Sequence, residues 1–170
     1  MIIRTEDVAD YEEVYQLNFV AFGNRVDESE LVGRIRNSEE FLPELSLVAV
    51  RDNEIVGHLL LSKAKVQAEE CTYDVIVLAP IAVKPDVQKQ GIGSQLITEG
   101  LNRCKAFGYN IVLLIGHPSY YPKFGFKPAG NFGMELKQFV VPAEVFMVCE
   151  LKKGELQHIK GELIYPASFL

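Results

Sequence analysis

The stretch Pro80-Ile-Ala-Val-Lys-Pro-Asp-Val-Gln-Lys-Gln-Gly-Ile-Gly-Ser-Gln-Leu-Ile97 is the most informative part of this chain. It leads from the end of an apolar strand, through a polar turn, into a Gly-x-Gly loop that opens an amphipathic helix. The first N–H groups of a helix have no acceptor within it, and the aligned peptide dipoles make that end partly positive. Gly91 and Gly93 leave these groups uncovered by side chains. The stretch therefore predicts an anion site, and a diphosphate is the natural ligand.

Hydrophobic periodicity around this stretch predicts an α/β fold. A strand at 72–83, a helix at 91–107 and an apolar strand at 110–115 form a β-α-β unit, whose two strands are expected to be parallel. Pro80 cannot donate to a strand ladder, so it predicts an edge, a bulge or a splayed position. We expect one domain over 1–170, with a mixed central sheet and helices on both faces. The other predicted elements are strands at 1–4, 46–51, 55–66, 144–151 and 162–165, and helices at 7–22, 28–37 and 119–124.

Composition excludes several classes of protein. The 170 residues carry a net charge of −6 with no cluster of basic and aromatic residues, which argues against a nucleic acid partner. The longest apolar run, at 75–83, is too short to cross a bilayer, and the acidic N-terminus does not resemble a secretory signal. We therefore expect a cytoplasmic protein with no membrane partner. The scattered cysteines and histidines show no metal-ligand spacing, so no metal is expected.

The Gly-x-Gly loop has rival interpretations. A dinucleotide-binding loop needs a third glycine at position 96, where this chain has leucine. A nucleoside-triphosphate loop needs Gly-Lys-Ser/Thr after four spacers, and no such run occurs. Two glycines can also serve only a tight turn and close packing of the helix. The pattern that remains is Gln88-x-x-Gly91-x-Gly93, placed after Val83-Lys84-Pro85.

This pattern resembles the acetyl-CoA signature of the GNAT N-acetyltransferase superfamily, whose loop reads Gln/Arg-x-x-Gly-x-Gly/Ala. The segment at 78–85 resembles that family's fourth strand, and Gly-x-Pro-x-Tyr-Tyr-x-x-Phe-Gly-Phe at 116–126 resembles an element of a compact bacterial branch. The resemblance implies a GNAT-like acyl-CoA N-acyltransferase fold with a splayed parallel strand pair. It also implies that acetyl-CoA donates its acetyl group to a primary amine by direct attack. The residues that it assigns to the cofactor are Ile81, Ala82, Val83, Gln88, Lys89, Gln90, Gly91, Ile92, Gly93 and Ser94.

The resemblance assigns catalysis to Tyr121, four residues before Gly125. A phenol has an ordinary pKa of about 10, so it can donate a proton to a departing thiolate without first ionising. Tyr121 is therefore expected to act as general acid, and Tyr120 is a second candidate. A backbone N–H near Ile81 is the expected oxyanion donor. The general base stays open among His117, His58, Asp74, Glu69, Glu70 and water.

The acceptor also stays open, since a small-molecule amine and a peptide amine both fit. The helices at 7–37 and the loop at 130–142 are expected to select it. A homodimer is the default for a small enzyme, although no residue specifies one. Two further classes remain as alternatives. One is a non-catalytic acyl-CoA-binding sensor, which needs no acid, and the other is a nucleotide-binding module that uses the same loop for ATP or a flavin.

Overall fold

A computed structural model describes residues 1–170, and its nine strands join in one sheet. In chain order the strands are β1 (Ile2–Thr5), β2 (Ser46–Arg51), β3 (Glu54–Gln67), β4 (Thr72–Val83), β5 (Ile111–Ile115), β6 (Phe126–Pro128), β7 (Met134–Leu136), β8 (Phe146–Glu150) and β9 (Gly161–Ile164). Their spatial order is β1-β2-β3-β4-β5-β8-β6, and β9 pairs with both β3 and β7. The β4–β5 and β7–β9 pairs are parallel and the others antiparallel, which confirms the mixed sheet.

Three α-helices cover the two faces of this sheet: α1 (Tyr11–Ala21), α2 (Asp27–Arg36) and α3 (Ile92–Ala106). Successive residues of a strand point to opposite faces, and β3 shows the consequence. Leu59 and Leu61 are buried in the cluster that contains the apolar side of α3. Leu60, between them, is buried instead against Val32 and Ile35 of α2. The expectation of helices on both faces is therefore confirmed.

The β-α-β unit of β4, α3 and β5 forms as predicted, and its two strands separate. They pair at Ile76 with Val112 and at Val77 with Leu113, but β4 then continues to Val83 without β5 beside it. On its other side β4 stays paired with β3 through a register shift between Leu59 and Leu61, opposite Pro80. This irregularity is a bulge, one of the three positions that Pro80 predicted, and it forms where the proline cannot donate to the ladder. The β5-side edge of β4 is consequently open beyond residue 77.

Some elements differ from the sequence-based expectation. The predicted helix at 7–22 starts as a 3-10 turn, Val8–Asp10, with Asp7 as its cap, before α1 begins. The short helix at 119–124 is a 3-10 helix, Tyr121–Phe124. Strands β6 and β7 were not predicted, because three residues are too few to show a period. None of the helices combines the length and the apolar character that crossing a bilayer requires.

Candidate active site

The loop before α3 presents a row of unpaired backbone donors. None of the N–H groups from Gln88 to Ser94 donates a hydrogen bond within the protein. The first to do so is that of Gln95, which donates to the Gly91 carbonyl oxygen over 3.1 Å. Residues 88–91 are exposed, and Gly93 and Ser94 are partly exposed, so most of the row lies at the protein surface. Unpaired donors at the positive end of a helix form an anion site.

The local sequence explains this geometry. Lys89 and Gly91 both have positive φ, +63° and +87°, and turns of this kind direct successive N–H groups toward one side. Glycine adopts that conformation without a Cβ penalty. The side-chain amide of Gln88 donates to the Val83 carbonyl oxygen over 3.1 Å, which ties the loop to the end of β4. The loop is thus held against the strand edge that β5 leaves open.

A cavity of about 570 Å³ lies beside these donors. It joins the end of β4, the loop and the segment after β5, which are the parts that the sequence assigned to one site. Lys89 and Lys123 contribute positive charge to its wall, which suits an anionic ligand. The residues that line it are Ile81, Val83, Gln88, Lys89, Gly91, Ile92, Gly93, Ser94, His117, Tyr120 and Lys123.

Two residues assigned to the cofactor do not line this cavity. The side chain of Ala82 is buried on the other face of the sheet, against Val14 and Leu17 of α1. The side chain of Gln90 accepts a hydrogen bond from Arg51 over 3.1 Å. Ala82 and Gln90 can therefore contact the cofactor only through their main-chain atoms. Lys123 lines the cavity but was not predicted, because a single lysine in a turn carries no signal in the sequence.

The two adjacent tyrosines have different surroundings. Tyr120 lines the cavity, and its hydroxyl lies 3.5 Å from Ser94 Oγ. Tyr121 is not among the lining residues, and its ring packs edge-on against Tyr120 and Phe126. Burial, with a smaller effect from Tyr120, raises the pKa of Tyr121 to about 12. Its hydroxyl has no hydrogen-bond partner in the protein and is not among the buried polar atoms that lack one, so it keeps some exposure to solvent.

Of the candidate bases, His117 alone lines the cavity. Asp74 lies at the other end of β4, where it pairs with Lys65 over 2.6 Å, and Glu69 and Glu70 line a separate surface depression. His58 is fully buried, with Nδ1 3.3 Å from Asn18 Nδ2. Burial, reinforced by the charge of Arg36, lowers the pKa of His58 to about 3, so it is neutral and enclosed.

The described chain contains no group of three or more His, Cys, Asp or Glu side chains that could hold a metal ion. Cys104 and Cys149 are buried and unpaired. Burial raises the pKa of these thiols to about 12 and about 11, respectively, so neither supplies a thiolate at neutral pH.

Comparison with known proteins gives the site its family context. Residues 3–129 match the model of the acetyltransferase (GNAT) domain. The uncharacterized N-acetyltransferase YhbS of Escherichia coli is 30% identical over 170 residues, covering 99% of this chain and 98% of that protein. YjhQ, another uncharacterized N-acetyltransferase of Escherichia coli, is 35% identical over 128 residues, 75% of this chain and 70% of its own length.

Solved structures agree with this match along nearly the whole chain. The crystal structure of YhbS from Escherichia coli in complex with CoA superposes with a TM-score of 0.90 at 29% identity, covering 99% of this chain and 91% of that one. A GNAT family acetyltransferase from Brucella melitensis in complex with acetyl-CoA has a TM-score of 0.79 at 28% identity, with 99% and 97% covered. With the unpaired donors before α3 and the splayed strand pair, these matches show that the chain is an acyltransferase that belongs to the GNAT N-acetyltransferase family.

Proposed function

We propose that this protein transfers the acetyl group of acetyl-CoA to a primary amine, which attacks the thioester directly. The observation that carries the proposal is the row of backbone N–H groups from Gln88 to Ser94 that find no acceptor in the protein. Unpaired donors at a helix N-terminus favour a diphosphate. The pantetheine arm lies along the open edge of β4, near Ile81 and Val83. The relatives solved in complex with CoA and with acetyl-CoA support CoA as the ligand.

The reaction needs a carbonyl made more electrophilic and a thiolate made a better leaving group. The amine nitrogen forms a bond to the thioester carbon, and a backbone N–H near Ile81, beside the bulge, donates to the oxygen that becomes negative. The C–S bond then breaks, and Tyr121 donates its phenolic proton to the departing sulfur. With a pKa of about 12, Tyr121 holds that proton at neutral pH. Because an ordinary thiol pKa is about 8.5, this transfer is uphill, and it is completed when the phenolate regains, through solvent, the proton that the amine released.

The amine must lose a proton before or during its attack. His117 is the base candidate on the cavity wall, and it accepts this proton directly or through a water molecule. The remaining candidate side chains face other surfaces or are enclosed.

The acceptor is a small-molecule or a peptide amine. We also propose a homodimer, because two-fold dimers are the commonest oligomers. Light scattering after gel filtration tests this proposal.

Thermal unfolding with a panel of ligands tests the binding half of the proposal. The panel holds acetyl-CoA, CoA, ATP, NAD and FMN. A ligand at a hundred times its dissociation constant adds about 2.7 kcal/mol to the free energy of unfolding. We expect acetyl-CoA and CoA to raise the melting temperature and the nucleotides to leave it nearly unchanged. Stabilisation by a nucleotide without stabilisation by CoA refutes the proposal.

A screen of amines that follows free thiol release from acetyl-CoA tests the chemical half. Tyr121→Phe removes the acid and keeps the ring, so kcat is expected to fall about a hundredfold or more while CoA still binds. Tyr109→Phe is the matched control, because Tyr109 lines a different depression beyond the C-terminal end of α3. If Tyr121→Phe keeps full turnover, Tyr121 is not the acid. If it loses CoA binding along with turnover, its role is structural.

A further inference from the structure

A pair of hydroxyl groups lies at the N-terminus of α3, within the cavity that contains the unpaired N–H groups. Tyr120 Oη and Ser94 Oγ are 3.5 Å apart, at the outer limit of a hydrogen bond. The Tyr120 hydroxyl has no other partner in the protein. A weakly bonded phenol is therefore available to a ligand at the same point where the backbone donors are free.

Tyr120 reaches this helix end because residue 93 is glycine. A Cβ on Gly93 would lie 3.1 Å from Tyr120 Oη, closer than ordinary van der Waals contact. The hydroxyl therefore approaches the first turn of α3 through space that only glycine leaves open. Tyr121 does not line the cavity at this helix end.

The ring of Tyr120 is held on several sides. It packs edge-on against Tyr121 and Phe124, with centroid separations of 5.1 Å and 5.4 Å. The ammonium of Lys123 lies 4.2 Å from its centroid, so a positive charge sits beside the ring within the cavity wall. The hydroxyl thus points to the helix end as a consequence of packing, with a cation close by.

We propose that Tyr120 is a binding residue for the acyl donor, separate from Tyr121. Its O–H donates to a diphosphate oxygen seated on the N-terminus of α3, and the Ser94 hydroxyl donates beside it. This inference rests on the proposed function, because the diphosphate is that of CoA. A hydrogen bond to a charged group contributes more than one between neutral groups, so the phenol has a measurable effect on affinity.

Isothermal titration with CoA tests the inference directly. Tyr120→Phe keeps the ring and its packing, so the fold is preserved, and we expect the dissociation constant of CoA to rise about tenfold or more. The KM for acetyl-CoA should rise by the same factor, with kcat within about twofold of the original. Tyr109→Phe is the control and should leave the dissociation constant unchanged, because its side chain lies outside this cavity.

S-Acetylpantetheine separates a diphosphate contact from a contact near the thioester, because it lacks the diphosphate. With this donor we expect kcat/KM of Tyr120→Phe to stay within about twofold of the original. An equal loss with both donors means that Tyr120 acts near the thioester, which overturns the inference. Unchanged CoA affinity in Tyr120→Phe also overturns it, although the proposed function then stands. If the original protein does not bind CoA, both fail together.

A double-mutant cycle with Gly93→Ala adds a second test. The new methyl group displaces the Tyr120 hydroxyl, so it weakens CoA binding partly through that side chain. In the Tyr120→Phe background no hydroxyl is left to displace. The factor by which Gly93→Ala raises the dissociation constant of CoA should therefore be at least about threefold smaller in that background. Equal factors in the two backgrounds contradict a shared contact between the helix end, the phenol and the ligand.

Discussion

The position of α3 on the sheet depends on Gly100, and replacing it with alanine tests that dependence. A Cβ at Gly100 would lie 2.7 Å from both Leu59 Cδ2 and Leu61 Cδ1, where real contacts essentially never fall below 3.0 Å. Both leucines are 0% exposed, so their side chains have no open space into which to move. Gly100→Ala must therefore push the helix away from β3 or force the leucines out of their preferred rotamers.

Two opposing effects set the change in the free energy of unfolding that Gly100→Ala causes. Alanine in a helix interior is about 1 kcal/mol more favourable than glycine. Overpacking a filled core costs about 1–3 kcal/mol, and two contacts below 3.0 Å put this site at the upper end of that cost. We expect a net loss of about 2 kcal/mol in the free energy of unfolding. In a domain of this size, such a loss lowers the melting temperature by about 4–8 °C.

Gly33→Ala in α2 is the matched control, because nothing lies within 4 Å of a Cβ built on Gly33. At that position only the higher helix propensity of alanine acts, so the free energy of unfolding should rise by about 0.5–1 kcal/mol. Urea unfolding followed by circular dichroism measures the stability of both variants. The slope of the free energy of unfolding against urea concentration should be the same as in the original protein. The reasoning is refuted if Gly100→Ala is as stable as the original protein while Gly33→Ala shows its gain. That outcome would place α3 farther from the sheet.

Three further predictions concern the buried histidine, a strained glycine and the loop. Burial, with a smaller effect from Arg36, lowers the pKa of His58 from 6.5 to about 3, so between these two pH values the unfolded chain takes up a proton there and the folded chain does not. The free energy of unfolding is expected to fall with pH across that window, by about 2 kcal/mol at pH 5, and His58→Gln should flatten the pH profile. A Cβ on Gly161 would lie 2.2 Å from the Gln67 carbonyl oxygen, so Gly161→Ala should cost about 3 kcal/mol or more in chemical denaturation. Gln88→Glu replaces the amide that donates to Val83 with an anion beside the diphosphate, and calorimetry should show CoA affinity about tenfold lower with an unchanged circular dichroism spectrum.

Local patterns predicted the frame of the site. The loop could be predicted because a helix start, a left-handed turn and free N–H groups depend on residues close in sequence, here Gln88 to Ser94. Pro80 likewise predicted an irregular strand, since its missing N–H acts wherever the strand lies. The β-α-β unit followed from apolar periodicity and the handedness of crossovers.

Contacts between distant segments could not be predicted in this way. The sequence placed Tyr120 and Tyr121 side by side and preferred Tyr121, but only the packing of the turn after β5 shows that Tyr120 reaches Ser94 and lines the cavity, whereas Tyr121 does not. His58 was a candidate base until the fold enclosed it between α1 and the sheet. The assignment of Tyr121 as the acid stays a prediction.

The loop with its unpaired N–H groups and the strand–helix–strand unit around it therefore follow from local sequence, because backbone conformation is governed by neighbouring residues. Which side chains enter the cavity beside that loop depends on the folded chain as a whole. Burial and access depend on surfaces that meet only when residues far apart in the chain pack together, as β3 and β9 do across the long separation between Lys65 and Ile164.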